Sequence, residues 1–430
     1  MMILNYDVCV LGAGASGMVA AICAARKGNK VTIIDRMNKV GKKIYATGNG
    51  KCNFTNTQYD YDSYRGEDVK IVEDVLNTFS YVDTIDFFEE LGILAKNKNG
   101  YIYPYSEQAS SVVEVLSMEL YRLGVDIKTE ECVLGVDKSK NNNYTVKTDK
   151  GVYMCANVIM AMGGKASPKL GSDGSGLAIL KNLGHKIVAP HKALVQLKCK
   201  GKSFKAISGV RLQADVKMHI SGKGKEHIVY SNYGEIIFTD YGISGIPIMQ
   251  LSRYASKALG ENKKVTLSLD FFPDIDYSSL VGMINKRRQR NNQYNNLKSD
   301  EELLTGMINN KLASYIVKNF NNKKDSDNEK KSFKQKANKK SPNEEMIKVK
   351  ELVAVLKGME LEVVDTNSWD NAQVMAGGVS TKQITHSTME STLHKGLYIT
   401  GEIMDIDGTC GGYNLQWAWA TGYIAGTSIK

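Results

Sequence analysis

No run of uncharged apolar residues in this 430-residue chain reaches the roughly 18–20 that a membrane-spanning helix needs. The opening is apolar, but it has no basic n-region and is broken by glycines at 12, 14 and 17, so it does not read as a signal peptide. CxxC spacings are absent as well. The seven cysteines (Cys9, Cys23, Cys52, Cys132, Cys155, Cys199 and Cys410) are odd in number and irregularly placed, which argues against a disulfide framework or a zinc site. A reducing cytoplasm is the compartment expected for such a chain. Charge of neither sign dominates: 56 Lys and Arg oppose 46 Asp and Glu, for a net +10. Part of that excess lies in one Lys/Asn-rich stretch, and a basic enzyme is expected rather than a nucleic-acid binder. At this length, with 42% apolar residues, two or three domains with proper cores are expected.

What is present is concentrated in residues 6–36, YDVCVLGAGASGMVAAICAARKGNKVTIIDR. An apolar run at 8–11 enters Gly12-Ala13-Gly14-Ala15-Ser16-Gly17, an Ala-rich helical stretch runs to Lys27, and a second apolar run at 31–34 stops at Asp35. Strand, glycine turn, helix, strand and acid is the order of a dinucleotide-binding βαβ unit. Gly12 suits the tight turn, and Gly14 lets backbone N–H groups approach a pyrophosphate. Gly17 lets the helix lie close. The helix N-terminus offers unpaired N–H groups and a partial positive charge. Asp35, 18 residues after Gly17, stands where a ribose hydroxyl would lie.

Residues 40–56 carry Lys42, Lys43 and the run Gly48-Asn49-Gly50-Lys51-Cys52-Asn53, a composition suited to a loop around an anionic ligand. Residues 67–95 and 110–123 show apolar positions at helical spacing, and the aromatic stretch 101–105 between them reads as a loop. Four short strand-like runs from 125 to 155 predict a β-meander packed on the first sheet. A buried strand at 157–162 ends in Gly163-Gly164, as a sheet strand does against a nucleotide. The glycine-rich stretch 171–176 resembles a second fingerprint, but no buried strand runs into it and it is rejected as a nucleotide site. From 186 to 272 many short β runs predict an antiparallel, barrel-like domain. Residues 276–360 read helical and polar, and 321–345, with eight lysines and five asparagines, reads as a solvated or disordered insert. The last 60 residues return to the opening style. Gly401-Glu402, Asp407 and Gly411-Gly412-Tyr413-Asn414-Leu415 lead into a final helix, so the cofactor would be gripped from both ends of the chain.

The opening βαβ unit with Asp35-Arg36, the segment 47–56, Thr239-Asp240-Tyr241-Gly242-Ile243-Ser244-Gly245, Gly377-Gly378-Val379 and 401–416 together resemble the bacterial BaiN-like, or aminoacetone-oxidase-like, flavoproteins. The resemblance implies a GR2-type FAD fold: α/β, with a discontinuous Rossmann-type FAD-binding domain, an inserted β-barrel domain and a small helical domain. Boundaries on that basis are 1–188 with 370–430, 189–273 with about 347–369, and 274–346. It further implies that Gly12, Gly14, Ala15, Ser16 and Gly17 hold the pyrophosphate and Asp35, with Arg36 beside it, the adenosine ribose. Val133 would meet the adenine through its backbone. Lys42, Lys43, Gly48, Cys52, Asn53, Gly163, Glu402, Asp407, Gly412, Tyr413, Asn414 and Leu415 would surround the rest of the cofactor.

The expected activity is hydride transfer between FAD and a small organic substrate, with reduction of a conjugated C=C bond in a steroid-like enone as the resemblance's instance. NADH or NADPH, if used, must visit the flavin transiently, because no second complete fingerprint is present. No residue pair stands out as acid and base, and no metal site, membrane contact or oligomeric state is indicated. Two alternatives stay open: a tRNA-modifying or RNA-binding flavoprotein, and NAD in place of FAD. Against RNA, the lysines are concentrated in one polar insert rather than interleaved with aromatic residues. Cys52 and Cys410 are 358 positions apart and are expected to be packing residues, not a redox pair.

Overall fold

In this computed structural model the described residues are 3–58, 61–139, 143–201, 203–221, 226–294, 300–328 and 342–430. The expectations for residues 329–341 of the Lys/Asn-rich insert and for the turn at 222–224 lie outside them. The chain divides into two compact units, Met1–Leu194 with Ser368–Lys430, and Val195–Asn367.

The first unit starts as its residues dictate. Strand β1 (Ile3–Leu11) fully buries Val8, Cys9, Val10 and Leu11, α1 (Ala15–Arg26) follows the glycine turn, and β2 (Val31–Ile34) returns parallel to β1. After the short strands β3 (Thr55–Asn56) and β4 (Tyr64–Arg65), the stretch with helical spacing is two helices, α2 (Lys70–Thr78) and α3 (Tyr81–Glu90). The break is a capping box. The Ser80 hydroxyl accepts from the N–H groups of Val82 and Asp83, and Asp83 accepts from the Ser80 N–H at 2.7 Å. The aromatic stretch read as a loop is a strand: β5 (Ala95–Lys98) and β3 flank β6 (Tyr101–Pro104) in a three-stranded antiparallel sheet. Ile102 and Pro104 are buried while Tyr101 is exposed, the period-two alternation of a half-covered strand.

Helix α4 (Ala109–Arg122) leads to β7 (Asp126–Lys128), which extends the sheet beyond β2. Strands β8 (Val133–Lys138), β9 (Tyr144–Thr148) and β10 (Val152–Met160) form the meander. It is not separate from the sheet. Strand β10 is one continuous element parallel to β1, and its first four residues also pair with β9. Helix α5 (Ser175–Asn182) and β11 (Ile187–Ala193) complete this pass.

The second unit holds β12 (Leu197–Cys199), β13 (Arg211–Ser221), β14 (Glu226–Thr239), β15 (Gly242–Gly245), α6 (Ile246–Gly260), β16 (Lys264–Asp270), α7 (Tyr277–Tyr294), α8 (Asn310–Asn328), α9 (Pro342–Lys357) and β17 (Met359–Thr366). Its six strands close into a barrel in the order β12-β15-β14-β13-β16-β17. Alternation fills the barrel: Val265, Leu267 and Leu269 of β16 point inward. The helices do not form a core of their own. Leu280 and Ile284, Leu312 and Ile316, and Val349 and Val353 join the barrel residues in one apolar cluster, so the stretch read as a third domain shares the barrel's core.

On its return the chain adds β18 (Val374–Val379), β19 (Leu397–Ile399), β20 (Asp407–Gly408) and α10 (Tyr413–Ser428) to the first unit. Strand β18 pairs with β11, which keeps residues 189–193 in the first unit although their local texture matches the barrel. Strand β19 pairs with β10 just beyond its contact with β9, and β20 pairs with β4.

Candidate cofactor site

The glycine turn between β1 and α1 is built for close approach. Gly12 has φ +103, and a Cβ there would lie 2.4 Å from the Ala161 carbonyl oxygen at the end of β10. A Cβ on Gly17 would lie 1.9 Å from the Gly12 carbonyl oxygen, so only glycine lets the helix sit on the turn. Gly14 differs: it is the N-cap of α1 in an extended conformation, and a Cβ on it would meet nothing within 4 Å. Open space therefore lies in front of that helix end. No side chain caps it, and the first intrahelical bond runs from the Met18 N–H to the Gly14 oxygen at 3.0 Å. The N–H groups of Ala15, Ser16 and Gly17 thus have no acceptor within the helix.

Asp35 ends β2 as expected, but its carboxylate is already engaged. One oxygen accepts from the Ala13 N–H and the other from the Met37 N–H, both at 2.7 Å. Burial pushes its carboxyl above the usual value, and the two backbone donors pull it back. A ribose hydroxyl could still use its remaining lone pairs. The N–H of Glu131 bonds the Asp35 carbonyl at 3.0 Å, which brings the chain past this corner two residues before Val133. Arg36 turns away to pair with Asp173. Asp173 also accepts from the Ser175 N–H at 3.0 Å and from its hydroxyl at 2.6 Å, next to the start of α5. That second glycine-rich turn is thus already supplied with an anion.

The loop after β2 is tied to the same turn: Gly41 donates its N–H to the Ala13 oxygen at 2.7 Å, a contact that only the Gly at 41 hinted at. Lys43 and Glu402, both expected around the cofactor, instead face each other at 2.6 Å, and Glu402 also accepts from the Met375 N–H at 2.8 Å. Lys42 reaches Asn38 at 3.2 Å. Gly48, Asn49 and Cys52 all have positive φ, and this loop buries Cys52 completely. Asn53 is buried with its Oδ1 lacking a partner, and a Cβ on Gly412 would lie 3.1 Å from that atom. Gly163, just past β10, lies against Ser172, whose Oγ a Cβ would meet at 2.7 Å.

The far end of the chain completes the arrangement. Gly412, at φ +96, is the N-cap of α10, again without a side-chain cap. The first backbone bond is from the Gln416 N–H to the Gly412 oxygen at 2.9 Å, so the Asn414 and Leu415 N–H groups have no intrahelical acceptor. The Asn414 side chain is not free for a ligand: it accepts from the Gly408 N–H and donates to the Gly408 oxygen, both at 2.8 Å. The Tyr413 hydroxyl donates to the Gln58 oxygen at 2.8 Å. Asp407 is buried within β20.

Helices α1 and α10 pack closely and run the same way. A Cβ on Gly422 would lie 2.4 Å from the Ser16 oxygen, and one on Gly426 would lie 2.4 Å from the Ala20 oxygen. From those contact levels, at 1.5 Å per residue, the α10 N-terminus projects about 12 Å beyond that of α1. Two uncapped, similarly directed positive helix ends are therefore staggered by a cofactor-sized step. Thr400 adds a buried hydroxyl with no partner beside Gly401, where a Cβ would meet the Ser16 Oγ at 2.6 Å. Neither Thr400 nor Gly401 has a composition signal beyond the Gly-Glu pair after a strand.

Burial pushes Cys52 up to about 12 and Cys410 up to about 11, the latter against Arg65. All seven cysteines are free. Among the described residues no group of three or more His, Cys, Asp or Glu could hold a metal ion. No helix there is long and apolar enough to cross a membrane.

Comparison with known proteins decides the family. The model for the HI0933-like protein Rossmann domain matches residues 6–428. The chain belongs to the HI0933-like Rossmann family. Within it, the chain is 40% identical to the 3-dehydro-bile acid delta(4,6)-reductase of Clostridium scindens, over 97% of both chains. It is 29% identical to the ribosomal RNA dihydrouridine synthase of Haemophilus influenzae over 98% of both. Against the enzyme of that name from Escherichia coli it is 26% identical, over 99% of this chain and 98% of that one. This HI0933-like chain is an FAD-binding flavoprotein and an oxidoreductase. The two uncapped helix ends, the open space before Gly14 and the unpartnered Asn53 Oδ1 and Thr400 Oγ1 fit that cofactor.

Proposed function

We propose that this flavoprotein reduces a carbon–carbon double bond conjugated to a carbonyl in a small polycyclic 3-oxo substrate of the bile-acid type. The observation that carries this is 40% identity, end to end, with a reductase named for that substrate. When bound, FAD supplies a carrier that gives or takes a hydride. The chain's own residues supply position and field. The α1 N-terminus with Gly14 would take the pyrophosphate, and the stagger to α10 leaves room for the sugar-alcohol chain between phosphate and ring. The N–H groups at the start of α10 would face the ring edge where negative charge develops on reduction. Asn53 would meet the same ring through its unpartnered amide oxygen, which can accept a ring N–H. Cys52 and Cys410, whose thiols burial pushes up, are assigned to packing beside the cofactor and to no redox step.

A nicotinamide cofactor is the proposed reductant. It would approach without a fold of its own, since the second glycine-rich turn is occupied by Asp173. Anaerobic titration with NADH and NADPH, followed by reoxidation with 3-oxo-4,6-diene and 3-oxo-4-ene steroids, tests the reading. Bleaching of the flavin by a nicotinamide and its recovery with an enone is the expected result. Flavin that is reduced but reoxidised only by oxygen would remove the enone from consideration.

A second reading is favoured by the relatives named as ribosomal RNA dihydrouridine synthases. Forming dihydrouridine also saturates a double bond conjugated to a ring carbonyl, so one hydride chemistry serves both readings. Uracil content in ribosomal RNA before and after incubation with the reduced enzyme separates them.

A further inference from the structure

We infer that the outward face of the β5–β6–β3 sheet docks single-stranded RNA beside the cofactor site. The antiparallel register sets Lys96 opposite Tyr103 and Lys98 opposite Tyr101, and directly opposed residues share a face. The intervening Ile102 and Pro104 are buried, so β6 has one side in the core and turns Tyr101 and Tyr103 to the face they share with Lys98 and Lys96. Tyr105 continues the face at 61% exposure, with the Lys96 ammonium 5.3 Å from its ring centre. The Lys98 ammonium lies 5.5 Å from the Tyr103 ring.

The charge on this face is not compensated. Lys96, Lys98 and Lys51 converge on one carboxylate, Glu107, within 3.1 Å, which leaves an excess of two positive charges. The three ammonium groups hold Glu107 well below the usual carboxylate range, so it stays ionised and the excess stays at two. Aromatic rings standing on a sheet and interleaved with cations are the surface that unstacked bases and phosphates recognise. The composition-level objection, that lysines and aromatics are not interleaved on structured elements, does not hold for this sheet.

Its place in the fold gives the face a purpose. A Cβ on Gly48 would lie 3.7 Å from the Tyr103 ring, and one on Gly411 would lie 3.2 Å from the Tyr101 ring. On β3, Asn56 donates to the Gly411 oxygen at 2.9 Å. The lysine–tyrosine face thus abuts both loops assigned to the flavin. A strand laid across it would present a base to the cofactor site without the polar insert taking part. The inference concerns binding and does not rest on the enone reading. RNA affinity is read without turnover, so either can fail while the other stands.

The test is fluorescence anisotropy of the FAD-loaded full chain with a labelled U-rich RNA of about 12 nucleotides, within the usual range for single-strand sites. Lys96→Ala/Lys98→Ala should weaken binding by tenfold or more and flatten the log–log salt slope by about 1.4, at about 0.7 for each phosphate no longer neutralised. Tyr105→Ala should weaken binding about tenfold by removing a stacking ring, with an unchanged flavin spectrum showing that the fold is intact. Replacing the eight lysines of 321–345 by serine should leave the affinity within about threefold. Three results would overturn the inference: no RNA binding at low salt, binding unaffected by the sheet variants, or tighter binding to anionic phospholipid vesicles than to RNA.

Discussion

Two residues of the nucleotide turn separate binding from folding. Gly14 has an extended backbone that any residue adopts, and the space a side chain would fill is open. Gly14→Val is therefore expected to fold with little loss of stability and to purify without FAD, because its isopropyl group occupies the phosphate position. Absorbance at flavin wavelengths and a thermal melt check both halves, and a yellow Gly14→Val protein would refute the assignment. Asp35 is the opposite case. Its carboxylate serves the Ala13 and Met37 N–H groups, and Ala13 is buried. Asp35→Ala should cost about 2–4 kcal/mol of stability by orphaning those donors, besides weakening FAD by at least tenfold. Urea unfolding of the FAD-free forms isolates the first effect; equal midpoints for parent and variant would show that the turn does not depend on the carboxylate.

Among the elements, α1 and α4 are tied by charge where they leave the core. Glu119 of α4 is nearly buried and receives Arg122 at 2.6 Å and Arg26 of α1 at 2.8 Å. The Arg122 guanidinium, helped by Arg26 and opposed by burial, holds the Glu119 carboxyl at about 2. A carboxyl depressed on folding contributes its stability above its ordinary range and loses it as pH falls towards the folded value. Glu119→Gln should thus cost about 1–3 kcal/mol at neutral pH, and the gap between variant and parent should close as pH is lowered from about 4.5 to about 2. A gap that stays constant across that range in denaturant titrations would mean that packing, not charge, links the helices. The α2–α3 break belongs to the same scale. It was legible in principle as Ser80 with Asp83 three residues on, but the apolar spacing runs through it and hides the cap.

On the scale of the whole molecule, the two units have their own cores, and all the groups assigned to FAD lie in the first. Removing FAD withdraws ligand linkage from that unit alone, worth about 2.7 kcal/mol at a hundredfold excess over the dissociation constant. Calorimetry should show one transition falling by several degrees on FAD removal while a second stays in place. A single transition that moves as one would show that the units unfold together.

The sequence alone determined the βαβ unit, the cofactor class and the barrel. Each is written in local patterns: a glycine spacing bounded by apolar runs, an acid at a set distance, short strands between turns. Tertiary structure decided what local pattern cannot carry. It paired β11 with β18 from the far end of the chain, turned an aromatic loop into the middle strand of a sheet, and merged the helical stretch into the barrel's core. It also redirected side chains whose positions were foreseen: Lys43 and Glu402 to each other, Arg36 to Asp173, Asn414 to its own turn. The reason is physical. A residue's neighbours along the chain set its backbone, but the partner that satisfies its charge or its hydrogen bond is chosen by contacts hundreds of residues away.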